Sequence, residues 1–134
     1  DLIEKTARAV SVPLIGNGSV EKLSAERLRN SACAGFMIGR AALGNPWIFR
    51  AVRAKLVGGE YFEPSSGDRA RLALRYAQIV SGGGYSGIDA ENLTHAKVQI
   101  MRFLKNSAGF KKLRIALKNI NTLDELKNLL CDYI

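Results

Sequence analysis

Apolar positions along this chain follow two different spacings, and the place where the spacing changes divides it. Leu2, Ile3, Thr6, Ala7 and Val10 share one helical face, which predicts a helix over residues 2–9. Val12-Pro13-Leu14-Ile15 is a short apolar run ended by Gly16-Asn17-Gly18-Ser19, the pattern of a strand buried on both faces. Helical spacing returns over 21–31, with Val20, Leu23 and Leu28 inward and Glu21, Lys22, Glu26, Arg27 and Arg29 outward. Ala32-Cys33-Ala34-Gly35 closes that helix, and Phe36-Met37-Ile38 predicts a second strand. Pro46 suits the first turn of a further helix, striped by Trp47, Ile48, Val52 and Leu56.

Beyond the turn-rich segment 58–67 no strand pattern occurs. A helix over 68–81 is predicted to bury Leu72, Tyr76, Ile79 and Val80, and Gly82-Gly83-Gly84 to stop it. Asp89 is placed to cap a helix over 90–105 striped by Leu93, Ala96, Ile100, Phe103 and Leu104. Phe110, Leu113, Leu117 and Ile120 mark a third helix. Thr122-Leu123-Asp124-Glu125 is a capping box for a fourth, with Leu126, Leu129, Leu130 and Tyr133 inward. The pattern therefore predicts α/β followed by all-α: an α/β part over 1–57, a linker over 58–67, and a helical bundle over 68–134.

Two short strands joined by a helix make a βαβ unit with parallel strands. Both strands end in glycine-containing turns, Asn17-Gly18-Ser19 and Gly39-Arg40, which are expected to lie side by side at the carboxyl ends of the strands. In a (β/α)8 barrel the loops after the last two strands commonly form a phosphate site completed by a helix N-terminus. Such a site needs close backbone N–H groups, small residues and one permanent positive charge, and these turns contain all three. Two parallel strands cannot close a barrel, so the isolated α/β half is expected to self-associate, to rearrange, or to leave residues 68–134 as the ordered part.

Composition narrows the function classes. The 134 residues are 47% hydrophobic and 24% charged, as in globular proteins. No apolar run approaches the roughly 18 residues of a membrane span. The chain opens on Asp1-Leu2-Ile3-Glu4-Lys5 without Met or a signal-peptide pattern, which fits a start inside a larger protein. Cys33 and Cys131 lack metal spacing and read as reduced, largely buried thiols of a cytosolic protein. His95 is the one histidine, so a multi-histidine metal site is excluded; it reads as a partly exposed helix residue. Net charge is +8, and Lys97 to Lys118 holds seven basic residues and no acid. That segment points to a polyanion partner.

The motifs resemble one family in particular. Pro13-Leu14-Ile15-Gly16-Asn17-Gly18-Ser19, followed by Gly35-Phe36-Met37-Ile38-Gly39-Arg40-Ala41-Ala42-Leu43-Gly44-Asn45-Pro46-Trp47-Ile48-Phe49, is similar to the tRNA-dihydrouridine synthases. Those are flavoproteins that reduce uridine in tRNA to 5,6-dihydrouridine with FMN and NADPH. The Asn45-Pro46-Trp47 continuation distinguishes this family from other FMN barrels that share the Gly-Arg turn. The likeness is strong over 12–50 and looser over 68–118.

The resemblance implies the last two β/α units of an FMN-binding TIM (β/α)8 barrel, then a helical tRNA-binding domain. It assigns Asn17, Gly18, Ser19, Gly39 and Arg40 to FMN and likens the 95–114 region to the family's basic helices. Within the acid-free basic segment, Lys97, Arg102, Lys105, Lys111, Lys112 and Arg114 are the expected tRNA contacts. Ser19 stands where the family usually carries an acidic residue. The catalytic cysteine of the family lies upstream of these motifs, so no catalytic residue is assigned, and Cys33 reads as structural. A complete barrel takes about 250 residues; the 134 residues alone are expected to be inactive, in a cytoplasmic protein without a membrane partner. Two other readings stay open: a stand-alone helical RNA-binding module, and part of another FMN barrel of the dihydroorotate or dihydropyrimidine dehydrogenase kind.

Overall fold

The computed structural model describes residues 2–81 and 90–133. The chain forms two compact units, Asp1–Glu63 and Pro64–Ile134. The whole is mixed α/β and mostly helical.

In the first unit, α1 (Leu2–Ala9) precedes β1 (Ile15–Asn17), α2 (Ala25–Arg29), β2 (Gly35–Met37) and α3 (Ile48–Val57), with single 3-10 turns at Val20–Lys22 and Arg40–Ala42. The strands pair in parallel with Ile15 opposite Gly35, Gly16 opposite Phe36 and Asn17 opposite Met37. The Ala34 N–H extends the ladder to the Leu14 carbonyl at 2.9 Å. Both strands start elsewhere than the apolar runs suggest. Val12, Pro13 and Leu14 lie outside β1, which takes in the polar Asn17 instead, because the hydrogen-bonded ladder and not hydrophobicity defines the strand.

Burial on both faces is not found. Gly16 is buried, but Ile15 is 58% and Met37 51% exposed. The unit's core is small: Val20, Leu28 and Val52, supported by Leu23, Phe36, Ile38, Ile48 and Leu56. These side chains join one side of the strands to α2 and α3.

The crossover helix is also shorter than the spacing predicts. Ser24 caps α2, its hydroxyl accepting from the Arg27 N–H at 3.1 Å, and residues 20–22 form a separate 3-10 turn. Polar ties lock these pieces. Arg29 donates to the Lys55 carbonyl at 3.0 Å, and Lys55 Nζ to the Glu21 carbonyl at 2.7 Å. Glu4 of α1 accepts from the Ala32 N–H at 2.9 Å and from the Ser31 hydroxyl. These bonds, the backbone one foremost, hold its carboxyl below the usual range.

The second unit contains α4 (Ser66–Ser81), α5 (Ala90–Leu104), α6 (Phe110–Asn119) and α7 (Leu123–Cys131). Helix α4 begins two residues earlier than its apolar pattern suggests, taking Ser66 and Gly67 from the presumed linker. Ser65 explains this. Its carbonyl accepts from Arg69 N–H at 3.1 Å, its hydroxyl accepts from Asp68 N–H at 3.0 Å, and its own N–H donates to the Asp68 carboxylate at 2.9 Å.

The buried face of α4 is Ala70, Ala73 and Ala77, each fully buried, not the larger residues. Leu72, Tyr76 and Val80 flank it half-buried, and Ile79 is 55% exposed. Alanine leaves little more than backbone at the surface, which suits a close helix–helix approach. Opposite lie Ala96, Ile100, Phe103 and Leu104 of α5, as the stripe predicts, and Tyr76 meets Phe103 edge-on at 5.4 Å. Leu113, Leu117, Ile120, Leu126 and Leu130 complete the core. The Thr122–Glu125 capping box forms in both directions. Cys131 is exposed, contrary to expectation, and Cys33 half-buried; both are free thiols. The glycine stop at 82–84, the Asp89 cap and the side chains of Leu93 and His95 lie outside the described residues. Among the described residues no helix is long and apolar enough to cross a membrane.

Candidate functional site

The strand register decides where the first set of predicted residues goes. Asn17 and Met37 are partners at the last paired position, so the chain leaves both strands at the same end. Asn17-Gly18-Ser19 and Gly39-Arg40-Ala41 consequently share one open depression of about 440 Å³, with Glu21 and Met37 completing its wall. All five residues expected to contact the cofactor line this depression.

Backbone geometry accounts for the small residues. Gly18 adopts φ +126°, a region closed to residues with a side chain, and Ser19 follows in the left-handed region at φ 47°. A β-carbon on Gly39 would meet nothing within 4 Å, so that glycine leaves open space at the rim. Each turn then winds once as a 3-10 helix. The Lys22 N–H reaches the Ser19 carbonyl at 2.9 Å, and the Ala42 N–H reaches the Gly39 carbonyl at 3.0 Å. The N–H groups that open each turn precede these bonds and are left outside them.

With the exposed Arg40 guanidinium at the rim, the arrangement suits an anion that accepts several hydrogen bonds. Glu21 is the lining residue of opposite effect. Its residue type and spacing place it on the outer face of a helix, but the short turn at Val20–Lys22 carries it to the depression.

The second set lies on α5 and α6. Lys111, Arg114 and Lys118 stand at i, i+3 and i+7 on α6, all exposed and on a different face from the buried Leu113 and Leu117. Lys112 and Lys105 are exposed as well, and Arg102 donates to Gln99 Oε1 at 3.3 Å. Lys97 differs from the rest. It is half-buried, and its Nζ donates to the Lys118 carbonyl at 3.3 Å, tying α5 to the end of α6. Lys111 and Lys112 occupy the first turn of a helix that has no acid there, against the sense of the helix dipole. Placement of this kind disfavours the isolated helix and favours an approaching anion. Among the described residues no group of three or more His, Cys, Asp or Glu side chains could hold a metal.

Comparison with known sequences places the chain. The family profile described as dihydrouridine synthase (Dus) matches residues 1–133. The chain belongs to the dihydrouridine synthase family. Its relatives include a probable tRNA-dihydrouridine synthase of Mycobacterium leprae, 29% identical over 123 residues, which covers 90% of this chain and 31% of the relative. Another is the tRNA-dihydrouridine synthase B of Pseudomonas putida, 35% identical over 117 residues, covering 85% and 34% respectively. A third, the tRNA-dihydrouridine synthase B of Pectobacterium carotovorum, is 41% identical over 66 residues, covering 48% of this chain and 21% of the relative. The chain thus spans about a third of the length of the first two dihydrouridine synthases. No solved structure matches it.

Proposed function

We propose that the chain supplies the FMN-phosphate turns and the tRNA-binding helices of a cytoplasmic tRNA-dihydrouridine synthase, which reduces uridine to 5,6-dihydrouridine in tRNA. In this reading residues 1–57 are the last two β/α units of a TIM barrel, and 68–134 form the helical tRNA-binding domain. The family match over residues 1–133 supports the activity. The observation that supports the cofactor assignment is the meeting of both turns in one depression, fixed by the Asn17–Met37 register.

A phosphate fits the residues present. Arg40 provides a permanent charge and a two-pronged donor, while the turns at Gly18-Ser19 and Gly39-Arg40 provide backbone N–H groups at small residues. Ser19 adds a hydroxyl that can donate to an anion, which a carboxylate at this position could not do. Glu21 weakens the attraction for an anion, so Arg40 carries a larger share of it. When bound and reduced by NADPH, FMN supplies the hydride that the uracil ring receives.

The exposed row Lys111, Arg114 and Lys118, with Lys112, Lys105 and Arg102 beside it, contacts tRNA phosphates without reading sequence. Lys97 contributes by holding the two basic helices together. Neither Cys33 nor Cys131 has a catalytic part.

Flavin absorbance of the purified full-length protein tests the cofactor assignment. Arg40→Ala is expected to lose most of the bound flavin while the far-ultraviolet circular dichroism stays unchanged. Flavin retained at the wild-type level would overturn the assignment.

A further inference from the structure

A second cavity lies in the first unit, with a lining unlike the first. It measures about 250 Å³ and is walled by Trp47, Arg50, Glu60, Tyr61 and Phe62. Trp47 immediately precedes α3, and Tyr61 and Phe62 follow it. A ten-residue helix is about 15 Å long, and the residues after it return far enough for Tyr61 and Phe62 to share the cavity with Trp47. Residues far apart along the chain therefore bring three aromatic side chains around one opening. Trp47 and Tyr61 are half-buried and held by further contacts, whereas Phe62 is 80% exposed.

An exposed aromatic side chain beside two others is a surface that water solvates poorly. The outward face of α3 has the same mixed character. Phe49, Arg50, Arg53 and Val57 share it by helical spacing, and all four are exposed. Aromatic rings interleaved with arginines are the combination that binds an unstacked nucleotide, the rings taking the base and the guanidinium groups the phosphates. The volume is below the roughly 300–1,000 Å³ of a drug-sized pocket, which suits a single ring system. Arg50 and Glu60 together leave the wall with no net charge to draw a cationic guest.

Resting on the tRNA reading above, we propose that this cavity is a stacking subsite for one unpaired nucleobase of RNA, with Arg50 and Arg53 on the flanking phosphates. Glu60 gives it a preference. A carboxylate only accepts hydrogen bonds, so it selects a base that presents adjacent N–H donors on its Watson–Crick edge, and guanine does so where uracil offers a single one.

Trp47 is the sole tryptophan of the chain, so its fluorescence reports this cavity alone. The experiment titrates the chain with GMP, UMP and ribose 5-phosphate, in an Arg40→Ala background that removes binding at the first depression. GMP is expected to quench Trp47 saturably, UMP about tenfold more weakly, and ribose 5-phosphate not at all. Phe62→Ala, at a position too exposed to disturb folding, should weaken GMP by about fivefold or more. Glu60→Gln should bring GMP and UMP closer together. The subsite is overturned if GMP leaves the emission unchanged, if ribose 5-phosphate quenches equally, or if Phe62→Ala binds GMP as before. An unaltered GMP-to-UMP ratio in Glu60→Gln overturns the guanine preference. Binding of tRNA by a Lys111→Glu, Lys112→Glu variant tells the two readings apart. If that variant loses tRNA affinity while unaltered protein shows no GMP quenching, the subsite fails and the basic face stands. If GMP quenches and the lysine variant keeps its tRNA affinity, the reverse holds.

Discussion

Cys33 holds its sulfur 3.1 Å from the point where a β-carbon on Gly16 would stand, and Phe36 Cδ1 lies equally near that point. Gly16 is the central residue of β1 and directly precedes the Asn17-Gly18-Ser19 turn. The strand can lie this close to its neighbours only because it has no side chain there.

Gly16→Ala should therefore destabilise the first unit. Overpacking costs about 1–3 kcal/mol, and the reduced freedom of the unfolded chain offsets about 0.4–1 kcal/mol of that. A net loss of about 1–2 kcal/mol is expected in urea unfolding followed by Trp47 fluorescence. Adding Cys33→Ala should recover part of it, leaving the Phe36 contact. A double mutant no better than Gly16→Ala would show that the sulfur is not the obstacle.

The basic face of α6 makes a prediction about salt. Each neutralised phosphate contributes about 0.9 to the slope of log affinity against log salt on duplex nucleic acid. Reversing Lys111 and Lys112 to Glu should weaken tRNA binding and lower that slope by about two, read by filter binding across a salt series. An unchanged slope would mean that these side chains do not meet the phosphates.

Asp68 makes the start of α4 sensitive to acid. Hydrogen bonds from the Ser65 hydroxyl, then Arg71 and the Ser65 N–H, hold its carboxyl at about 2. A carboxyl lowered in the folded state stabilises fully above its unfolded value of about 4, and that stabilisation is lost as pH falls through about 2. Asp68→Asn should melt below the unaltered protein at neutral pH, as followed by circular dichroism. The gap should narrow between about pH 4 and 2 and then close. A gap that persists in strong acid would assign the effect to geometry and not to charge.

The capping box of α7 can be removed from either side. Thr122→Ala should cost about 1 kcal/mol, since it orphans the Glu125 N–H now 3.2 Å from the threonine oxygen. Glu125→Ala should cost a comparable amount, as its carboxylate accepts from the N–H groups of Asn121 at 2.7 Å and Thr122 at 3.3 Å. Denaturant unfolding of both single variants and the pair should show that the two losses are not additive.

Much of this was legible along the chain, and the misses have physical causes. Local signals read well: the Thr122 box, the stripes Ile100–Leu104 and Leu113–Ile120, and the two glycine turns that the strand register then brought together. Non-local ones did not. Ile79 looks like core, but on α4 the alanines face inward, because a helix that packs closely selects small side chains over large ones. Cys131 is exposed although cysteine is usually buried. Lys97 belongs to a basic run by composition and to the α5–α6 tie by contact. Trp47 and Phe62 are fifteen positions apart, and no periodicity links them; only the return of the chain along α3 makes them neighbours.

The alanine face of α4 also gives this unit a one-sided tolerance to change. Ala70, Ala73 and Ala77 are already as short as a side chain can be while keeping a β-carbon. Every replacement except glycine adds atoms where there is no room, and glycine itself costs a helix interior about 1 kcal/mol. Across the contact the asymmetry is reversed: trimming Ile100 or Leu104 opens space that the alanines, lacking rotatable reach, cannot fill. A mutational scan of this helix pair should find almost no second-site partners that restore fit, so that the pair admits change mainly by replacing both surfaces together.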